Sequence, residues 1–483
     1  MKVIVFGVGN YYKEQKEKLN SFNEFEIMVF ADNNSSLWNK TMDGIAIIPP
    51  DLIKTFNFDK ILIMSIYVCA IYEQLLALGV DQDRILVWER FLAQSLYAEK
   101  GIIQRTLEIN YLEGSILIIS ADLDYNGGTL AAVYAAMSLK QKNISVVLAA
   151  PKGNKRLIEE MKDNRIDVIE WNSLPYVFDT DRKWIQQFKV VIVNTFQMME
   201  CAYEVSKLRP TMWWIHEPLK MYEPAMMKYP DCRNEERWER LNIYAVSRTA
   251  QSNFNKSVGV SKCRKILTVG IPDTVSITNR QKQKNRKMIF AIVGTIHILK
   301  AQDIFVKAAA MEDDDQKSEF WIIGRPLDQE YFQKVSEMAA RVHSIRILGE
   351  LTRAEIDKAF TEIDVLVCAS QEETLSITVI EAMMHGKACI TTNTTGIAEY
   401  IKNGVNGFVI SANDVNALAE KMHWLIEHKE EIGRIGLAAR KTYEKYFTMD
   451  IFGKNLLNAL NETTAEWRRI NQENEKTVNL PNL

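Results

Sequence analysis

Two glutamates and one lysine in the last third of the chain have residue types and spacing suited to a ligand that carries hydroxyl and phosphate groups. Seven residues separate Glu373 from Glu381, and Lys300 lies six positions after Gly294. Carboxylates accept hydrogen bonds from sugar hydroxyls, and a lysine ammonium group binds phosphate. Each residue also has an ordinary explanation: a surface loop for Glu373, a satisfied helix carboxylate for Glu381 and a surface position at a helix start for Lys300.

The segment between the two glutamates predicts a helix that starts beside this ligand. A strand predicted at 364–368 leads into the loop Thr374-Leu375-Ser376. The apolar residues that follow repeat at helical spacing, and Gly386 ends the helix. The first N–H groups of a helix have no partner inside it and bind anions, so a diphosphate fits beside this loop.

Parallel β-sheets must position these loops, because apolar strands alternate with helices along most of the chain. We predict strands at 2–6, 26–30, 60–64 and 84–87; at 115–120, 144–149, 167–171, 189–194, 212–216, 243–246 and 266–269; and at 288–293, 320–323, 345–348, 364–368, 388–391 and 408–410. The fold class is therefore α/β, with three Rossmann-like domains. Such sheets bind ligands at the carboxyl ends of their strands, where Lys300 and Glu373 lie.

The predicted domain boundaries follow these three series of strands. The polar, basic segment 276–287 has no periodicity and is typical of an interdomain linker. We expect a C-terminal helix that packs back on the second domain, followed by a mobile or weakly docked tail. The predicted boundaries are 1–105, 113–275, 288–450, 451–470 for the helix and 471–483 for the tail.

Composition and charge exclude several classes of protein. The net charge of −3 is not that of a nucleic-acid-binding protein, and every apolar run is far shorter than the roughly 20 residues that span a membrane. The six cysteines are scattered without a CxxC pair, so we expect reduced thiols, a cytoplasmic location and no bound metal.

The C-terminal third resembles the donor site of glycosyltransferase family 4, whose members have an E-x7-E motif. Glu373 and Glu381 fall on the motif glutamates, and Gly396-Ile397-Ala398-Glu399-Tyr400 matches the later Gly-x-x-Glu turn. Gly294 and Lys300 fall on the family's glycine and its diphosphate-binding lysine. The matches are collinear over about 160 residues. In the second domain, Gly128 and His216 lie where the family has a Gly-Gly turn and a histidine facing the interdomain cleft.

The resemblance implies a GT-B fold of two facing Rossmann-like domains, here preceded by a small additional α/β domain. It also implies a retaining, metal-independent glycosyltransferase with no cofactor, which uses a nucleotide sugar, with a UDP-sugar favoured. The acceptor would be a glycan, a lipid-linked molecule or a protein, in bacterial cell-surface polysaccharide or glycoconjugate synthesis. The residues implied are His216, Lys300 and Glu373 for catalysis, and Gly128, Gly294, Thr295, Lys300, Thr374, Leu375, Ser376 and Glu381 for donor binding.

Two departures from the family pattern concern the ligand contacts. Thr295 stands where a basic residue is common, so one phosphate cation is missing or comes from elsewhere, with Arg248 as a candidate. Thr374-Leu375-Ser376 replaces the common Gly-Phe-Gly, which puts the sugar contacts in doubt.

The sequence of the first domain is compatible with more than one function. Gly7 and Gly9 with Asp32 resemble a dinucleotide fingerprint, but Tyr12 occupies the third glycine position. We expect a structural, docking or oligomerisation role; a nicotinamide-dependent sugar-modifying enzyme is one alternative, and a catalytically silent GT-B partner subunit is another. The aromatic and methionine-rich segment 221–238 is either a peripheral contact with the inner face of a membrane, a solvated loop or a partner contact.

Overall fold

The chain folds into three mainly parallel sheets flanked by helices. The computed structural model describes residues 1–100, 103–105, 114–259, 261–275, 286–312 and 316–478. The predicted α/β class with parallel sheets is confirmed. Most of the predicted linker, residues 276–285, lies outside the described residues.

The first sheet has the strand order β3-β4-β2-β1-β5-β6. Its strands are β1 (Lys2–Phe6), β2 (Glu26–Ala31), β3 (Thr41–Met42), β4 (Ile45–Ile48), β5 (Lys60–Ile63) and β6 (Ile85–Val87), and its helices are α1 (Asn10–Asn20), α2 (Val68–Ala77) and α3 (Trp88–Lys100). Helices cover both faces: Val3 and Val5 pack in one buried cluster, and Ile4 and Phe6 in another.

The antiparallel hairpin of β3 and β4 was not predicted. Its strands are short, and its two-residue turn consists of Asp43 and Gly44, with φ of 52° and 80°. Left-handed residues at both turn positions match the twist of paired strands, so this turn chemistry was the available signal.

The second sheet has the order β14-β13-β12-β11-β8-β9-β10-β7. Its strands are β7 (Ile103–Arg105), β8 (Ile116–Ile119), β9 (Val146–Ala150), β10 (Asp167–Trp171), β11 (Val190–Asn194), β12 (Thr211–Ile215), β13 (Leu241–Ala245) and β14 (Lys265–Ile266). Its helices are α4 (Gly127–Gln141), α5 (Lys155–Asp163), α6 (Asp179–Ile185), α7 (Met199–Ser206), α8 (Tyr222–Lys228) and α9 (Arg248–Val258). Strand β7, which we had assigned to the first domain, pairs antiparallel with β10, so the chain enters the second sheet before residue 105.

The third sheet is entirely parallel, with the order β17-β16-β15-β18-β19-β20. Its strands are β15 (Met288–Val293), β16 (Ser318–Ile323), β17 (Ile345–Gly349), β18 (Val365–Cys368), β19 (Ala388–Thr392) and β20 (Phe408–Ile410). Its helices are α10 (Gln302–Met311), α11 (Gln329–Ala339), α12 (Arg353–Glu362), α13 (Ile377–Met384), α14 (Val415–Glu427) and α15 (Glu431–Tyr446).

Both large sheets reverse their strand order at one point. In the second sheet β8 lies between β9 and β11, and in the third sheet β15 lies between β16 and β18. Loops that leave two neighbouring strands in opposite directions open a crevice between them, and α/β proteins bind ligands there. The sheet order therefore places the loops after β15 and β18 at one crevice.

The last helix, α16 (Met449–Val478), returns to the second domain. Ser138 donates a hydrogen bond to the carbonyl of Met449 at 3.3 Å, and the indole of Trp467 donates to the carbonyl of Ser206 at 2.7 Å. The helix continues to Val478, into the segment where we expected a tail, because Gln, Glu and Lys there are good helix formers. Across the described part of the chain, no helix has the length and apolar character needed to span a membrane.

Candidate active site

The loop after β15 brings a lysine to the crevice of the third sheet. A Cβ on Gly324 would lie 1.8 Å from the carbonyl oxygen of Gly294, so these two loops touch at a separation that only glycine permits. A 3₁₀ turn at Ile298–Lys300 follows, and Ala301 takes a left-handed φ of 54° before α10 begins. This turn holds Lys300 near the carboxyl end of β15.

Lys300 forms an ion pair with Glu373, which lies in the loop after β18. The lysine Nζ donates to Oε1 of Glu373 at 2.7 Å, and the hydroxyl of Ser370 donates to the other carboxylate oxygen at 2.9 Å. Burial disfavours the ammonium form, but the carboxylate of Glu373 outweighs this effect and raises the pKa of Lys300. Its side chain is 31% exposed, so a charged lysine remains accessible to an anion in the crevice.

Helix α13 starts next to this ion pair. Ser376 is its N-cap residue, but the Ser376 side chain does not cap the helix, and its hydroxyl instead pairs with that of Thr378 at 3.1 Å. First-turn N–H groups without a side-chain cap are donors for an anion. The helix start and Lys300 together make this end of the crevice suitable for phosphate.

Glu381 is only 4% exposed and lies within α13, where it pairs with the guanidinium of Arg353. Arg353 also contacts Asp357 at 3.3 Å, one turn further along α12. Burial raises the pKa of Glu381, and Arg353 opposes that effect. Sequence reasoning did not find Arg353, because its partner lies in another helix and no local pattern marks the pair.

His216 follows β12 and faces the crevice from the second domain. The residue is partly exposed, but its Nε2 is buried without a hydrogen-bond partner, and desolvation lowers the pKa of His216 to about 3. The neighbouring Glu217 accepts hydrogen bonds from the backbone N–H groups of Phe196 and His216, at 2.6 and 2.9 Å. Burial raises the pKa of Glu217 to about 7, although these bonds oppose the shift. His216 is therefore a neutral imidazole over the ordinary pH range.

The two domains enclose a cleft of about 220 Å³ between their strand ends. It brings together seven of the residues proposed from the sequence, namely Gly128, His216, Thr295, Lys300, Glu373, Thr374 and Leu375. The remaining three, Gly294, Ser376 and Glu381, are not among its lining residues. Gly294 and Ser376 are nevertheless next in sequence to Thr295 and Leu375, which do line it.

Hydrogen bonds across the cleft join the loop after β18 to the second domain. The Thr374 hydroxyl donates to the carbonyl of His216 at 2.6 Å, and the Ser247 hydroxyl donates to the carbonyl of Thr374 at 2.5 Å. Glu372 accepts from the backbone N–H of Leu219 and from the amide of Asn253. In this closed arrangement the hydroxyl of Thr374 joins the two domains, and its contact with the donor stays a prediction.

The cleft also contains residues that we had not singled out. His297 lines it, and its Nδ1 accepts a hydrogen bond from the backbone N–H of Leu299 at 3.3 Å. Arg248, our candidate for the cation missing at Thr295, does not line the cleft; its guanidinium pairs with Glu399 at 3.2 Å. His297 is the nearest basic residue in sequence to Thr295 among those lining the cleft.

The glycine loop of the first domain is closed by its own acidic residue. Asp32 accepts hydrogen bonds from the backbone N–H groups of Val8 and Asn34, at 3.0 and 2.8 Å. In a dinucleotide fingerprint, an acidic residue at this place binds ribose hydroxyls. Here one oxygen of Asp32 bonds the glycine loop and the other bonds the turn that follows Asp32, which favours a structural role for the domain.

Segment 221–238 is a contact between domains within the chain. In the first domain, Arg90 pairs with Glu200 at 2.5 Å, and Glu200 also binds Arg237 at 2.6 Å. Trp238 is 1% exposed and stacks on Trp213 with 5.3 Å between ring centroids. Trp238 therefore lies inside the protein and is not available for the membrane contact that was one of the alternatives for this segment.

Two family profiles match parts of the chain. One, described as "Glycosyl transferases group 1", matches residues 275–442, and the other, "C2185-like, N-terminal", matches residues 1–86. The first match includes the crevice loops after β15 and β18, and the second covers most of the first domain.

Curated relatives are distant. The chain is 22% identical over 357 residues to a poly(ribitol-phosphate) alpha-N-acetylglucosaminyltransferase of Staphylococcus aureus (strain COL), an alignment that covers 73% of this chain and 66% of that protein. It is 24% identical over 341 residues to a trehalose synthase of Thermococcus litoralis, which covers 65% of this chain and 77% of that enzyme. The chain thus spans just under two thirds of the first relative.

Solved structures share the fold. A glycosyltransferase from Rickettsia africae has a TM-score of 0.60 at 18% identity and covers 73% of this chain and 99% of its own. Anabaena Alr3699/HepE in complex with UDP and glucose has a TM-score of 0.61 at 17% identity, with 72% and 99% covered. The fold is that of GT-B glycosyltransferases, with an additional N-terminal α/β domain, and the comparisons support a glycosyltransferase.

Proposed function

We propose that the protein is a retaining, metal-independent glycosyltransferase that transfers a sugar from a UDP-sugar to a glycan acceptor in cell-surface polysaccharide synthesis. The observation that carries the proposal is the Lys300–Glu373 ion pair beside the start of α13, at the crevice of the third sheet. A structural neighbour was solved in complex with UDP and glucose, which favours a UDP-sugar as the donor. A curated relative is named as a transferase that acts on poly(ribitol-phosphate), which favours a cell-surface polymer as the acceptor.

In this proposal the donor lies against the third domain and its diphosphate lies between Lys300 and the start of α13. The bond between the sugar C1 and the phosphate oxygen breaks, and the acceptor oxygen forms the new bond on the same face. The acceptor proton passes to the departing phosphate. Lys300 and the helix N–H groups stabilise the charge that develops on the diphosphate, which is the role a metal has in other enzymes.

The opposite wall of the cleft has a separate role. His216 lines the cleft as a neutral imidazole, so it orients the sugar instead of acting as a charged acid. Glu373 binds sugar hydroxyls with the carboxylate that Lys300 and Ser370 hold in place. The contacts of Thr374 and Glu372 with the second domain close the cleft and exclude water.

The first test identifies the donor by thermal unfolding with a panel of UDP-, GDP- and ADP-sugars. A ligand present at 100 times its Kd stabilises the folded state by about 2.7 kcal/mol, which is a measurable shift in melting temperature. We expect a shift with a UDP-sugar and slow hydrolysis of that donor. If no nucleotide sugar raises the melting temperature, the proposal is wrong.

The second test is Lys300→Ala, with Lys307→Ala as the matched control. Lys307 lies in the adjacent helix α10, is half exposed and pairs with Asp303. Losing one preorganised charge at the leaving group should lower kcat by about 10²- to 10³-fold. The control should retain its activity, and full activity of Lys300→Ala would refute the assignment of the site.

A further inference from the structure

A second groove lies between the second and third domains, and it shares no lining residue with the cleft. Its volume is about 550 Å³. Arg248 and Ile266 of the second domain form one side, and residues of α15, the turn Gly396–Tyr400 and the loop before β20 form the other. We call it the basic groove, because four of its lining residues are cationic: Arg248, Lys402, Lys441 and Lys445.

The positive charge of the basic groove is not neutralised by the protein. Its single acidic lining residue, Glu399, already pairs with Arg248 at 3.2 Å. Among the described residues, no carboxylate lies within ion-pair distance of Lys402, Lys441 or Lys445. Uncompensated cations in a concave surface concentrate a positive potential and attract anions.

Two of these lysines also repel each other. Lys441 and Lys445 are four positions apart on α15, so their side chains are neighbours on one helix face. Like charges at this spacing destabilise a helix by a few tenths of a kcal/mol unless an anion lies between them. A bound anion would remove that repulsion.

Apolar side chains also line the basic groove. Tyr446, Val405 and Ile266 are 39%, 49% and 37% exposed, which is high for such residues. Tyr446 is held by an edge-on contact with Tyr400 at 5.2 Å between ring centroids. Several amines together with apolar side chains suit a polymer whose anionic groups are joined by carbon-rich units. They suit a single small anion less well.

We infer that the basic groove binds an anionic glycan, whose phosphate or carboxylate groups pair with Lys402, Lys441 and Lys445 while its sugar rings contact the apolar side chains. The identification of this glycan as the acceptor rests on the proposed function; the binding itself does not. A planar bilayer fits the site less well, because the groove is concave and its walls come from both domains. A glycan bound to both walls also favours the closed arrangement of the domains.

The test measures binding of fluorescent polygalacturonate, with dextran of the same length as the neutral comparison. The triple variant Lys402→Ala/Lys441→Ala/Lys445→Ala should weaken polygalacturonate binding at least tenfold. It should also reduce the slope of log Kd against log salt by about 2, since fewer counterions are released. The control variant Lys13→Ala/Lys18→Ala/Lys334→Ala removes three other exposed lysines and should change the affinity less than twofold.

Three results would overturn the inference. The first is equal affinity of the unmodified protein for dextran and polygalacturonate, and the second is an equal loss of polygalacturonate affinity in the two triple variants. The third is that the variant Lys402→Ala/Lys441→Ala/Lys445→Ala loses binding to phosphatidylglycerol vesicles while its polygalacturonate binding is unchanged. The last result would identify a membrane contact. UDP binding, measured by calorimetry, separates this inference from the proposed function. If the protein binds polygalacturonate but not UDP, only the proposed function is contradicted. If it binds UDP but not polygalacturonate, only the inference about glycan binding in the basic groove is contradicted.

Discussion

Replacing His216 by Gln should expose a dependence of folding stability on pH that is cancelled in the unmodified protein. Burial lowers the pKa of His216 from 6.5 to about 3, so the unfolded chain binds one more proton at this position between those values. Burial raises the pKa of Glu217 from 4.5 to about 7, so the folded chain binds one more proton there. The two effects have opposite signs and overlap from pH 4.5 to 6.5.

The magnitude follows from proton linkage. A group that takes up one proton only on unfolding lowers the free energy of unfolding by about 1.4 kcal/mol for each pH unit of acidification. His216 therefore destabilises the folded state as the pH falls below 6.5, whereas Glu217 stabilises it as the pH falls below about 7. Their contributions cancel within the overlap. Without His216, acidification across those two units should raise stability by up to about 2.7 kcal/mol relative to the unmodified protein.

The assay is denaturant unfolding of the second domain, followed by tryptophan fluorescence across the overlap. Comparing each variant with the unmodified protein at each pH cancels the titration of all other groups. His216→Gln should gain stability on acidification, and Glu217→Gln should lose it. Parallel pH curves for the three proteins would refute the neutral state of His216. The same state predicts that the profile of kcat/KM against pH has no inflection from His216 near pH 6.5.

Two further substitutions test contacts in and behind the site. Arg353→Ala should lower the free energy of unfolding by about 1–3 kcal/mol, because it leaves the buried carboxylate of Glu381 without its partner, although water can approach from the exposed side of Arg353. Glu381→Gln should cost less, since Arg353 keeps Asp357. Thermal unfolding distinguishes the two variants, and equal losses would contradict the pairing. Gly396→Ala should place a Cβ 1.8 Å from the carbonyl oxygen of Thr374, which forces the loop after β18 to move. We therefore expect weaker UDP binding and a lower melting temperature. A variant with unchanged UDP binding and melting temperature would show that this loop is not held as described.

Strands inside the sheets were predicted well because burial on both faces requires continuous apolar sequence. Strands β1, β10 and β15, which lie inside their sheets, have the predicted bounds, and so does the edge strand β20. Other edge strands were predicted less accurately: β14 has two residues where four were predicted, and β3 and β7 were missed. An edge strand has a partner on one side only, so its sequence is under weaker constraint.

The partners of the site residues depended on the tertiary structure. Lys300 and Glu373 are 73 positions apart, and they meet because β15 and β18 are neighbours in the sheet. The carboxylate of Glu381 is held by Arg353, and the hydroxyl of Thr374 is bound to the second domain. None of these pairs has a local sequence signal, since each joins separate elements.

Apolar periodicity and residue spacing are local properties of a chain, so the sequence was enough to predict the α/β class, most of the strands and the two loops that carry Lys300 and Glu373. It was not enough to predict which side chains meet, that His216 is neutral, or that Arg248 pairs with Glu399 instead of lining the cleft, since these depend on the folded chain. Burial, and with it the charge of an ionisable group, depends on everything packed around that group. No segment read alone contains that information.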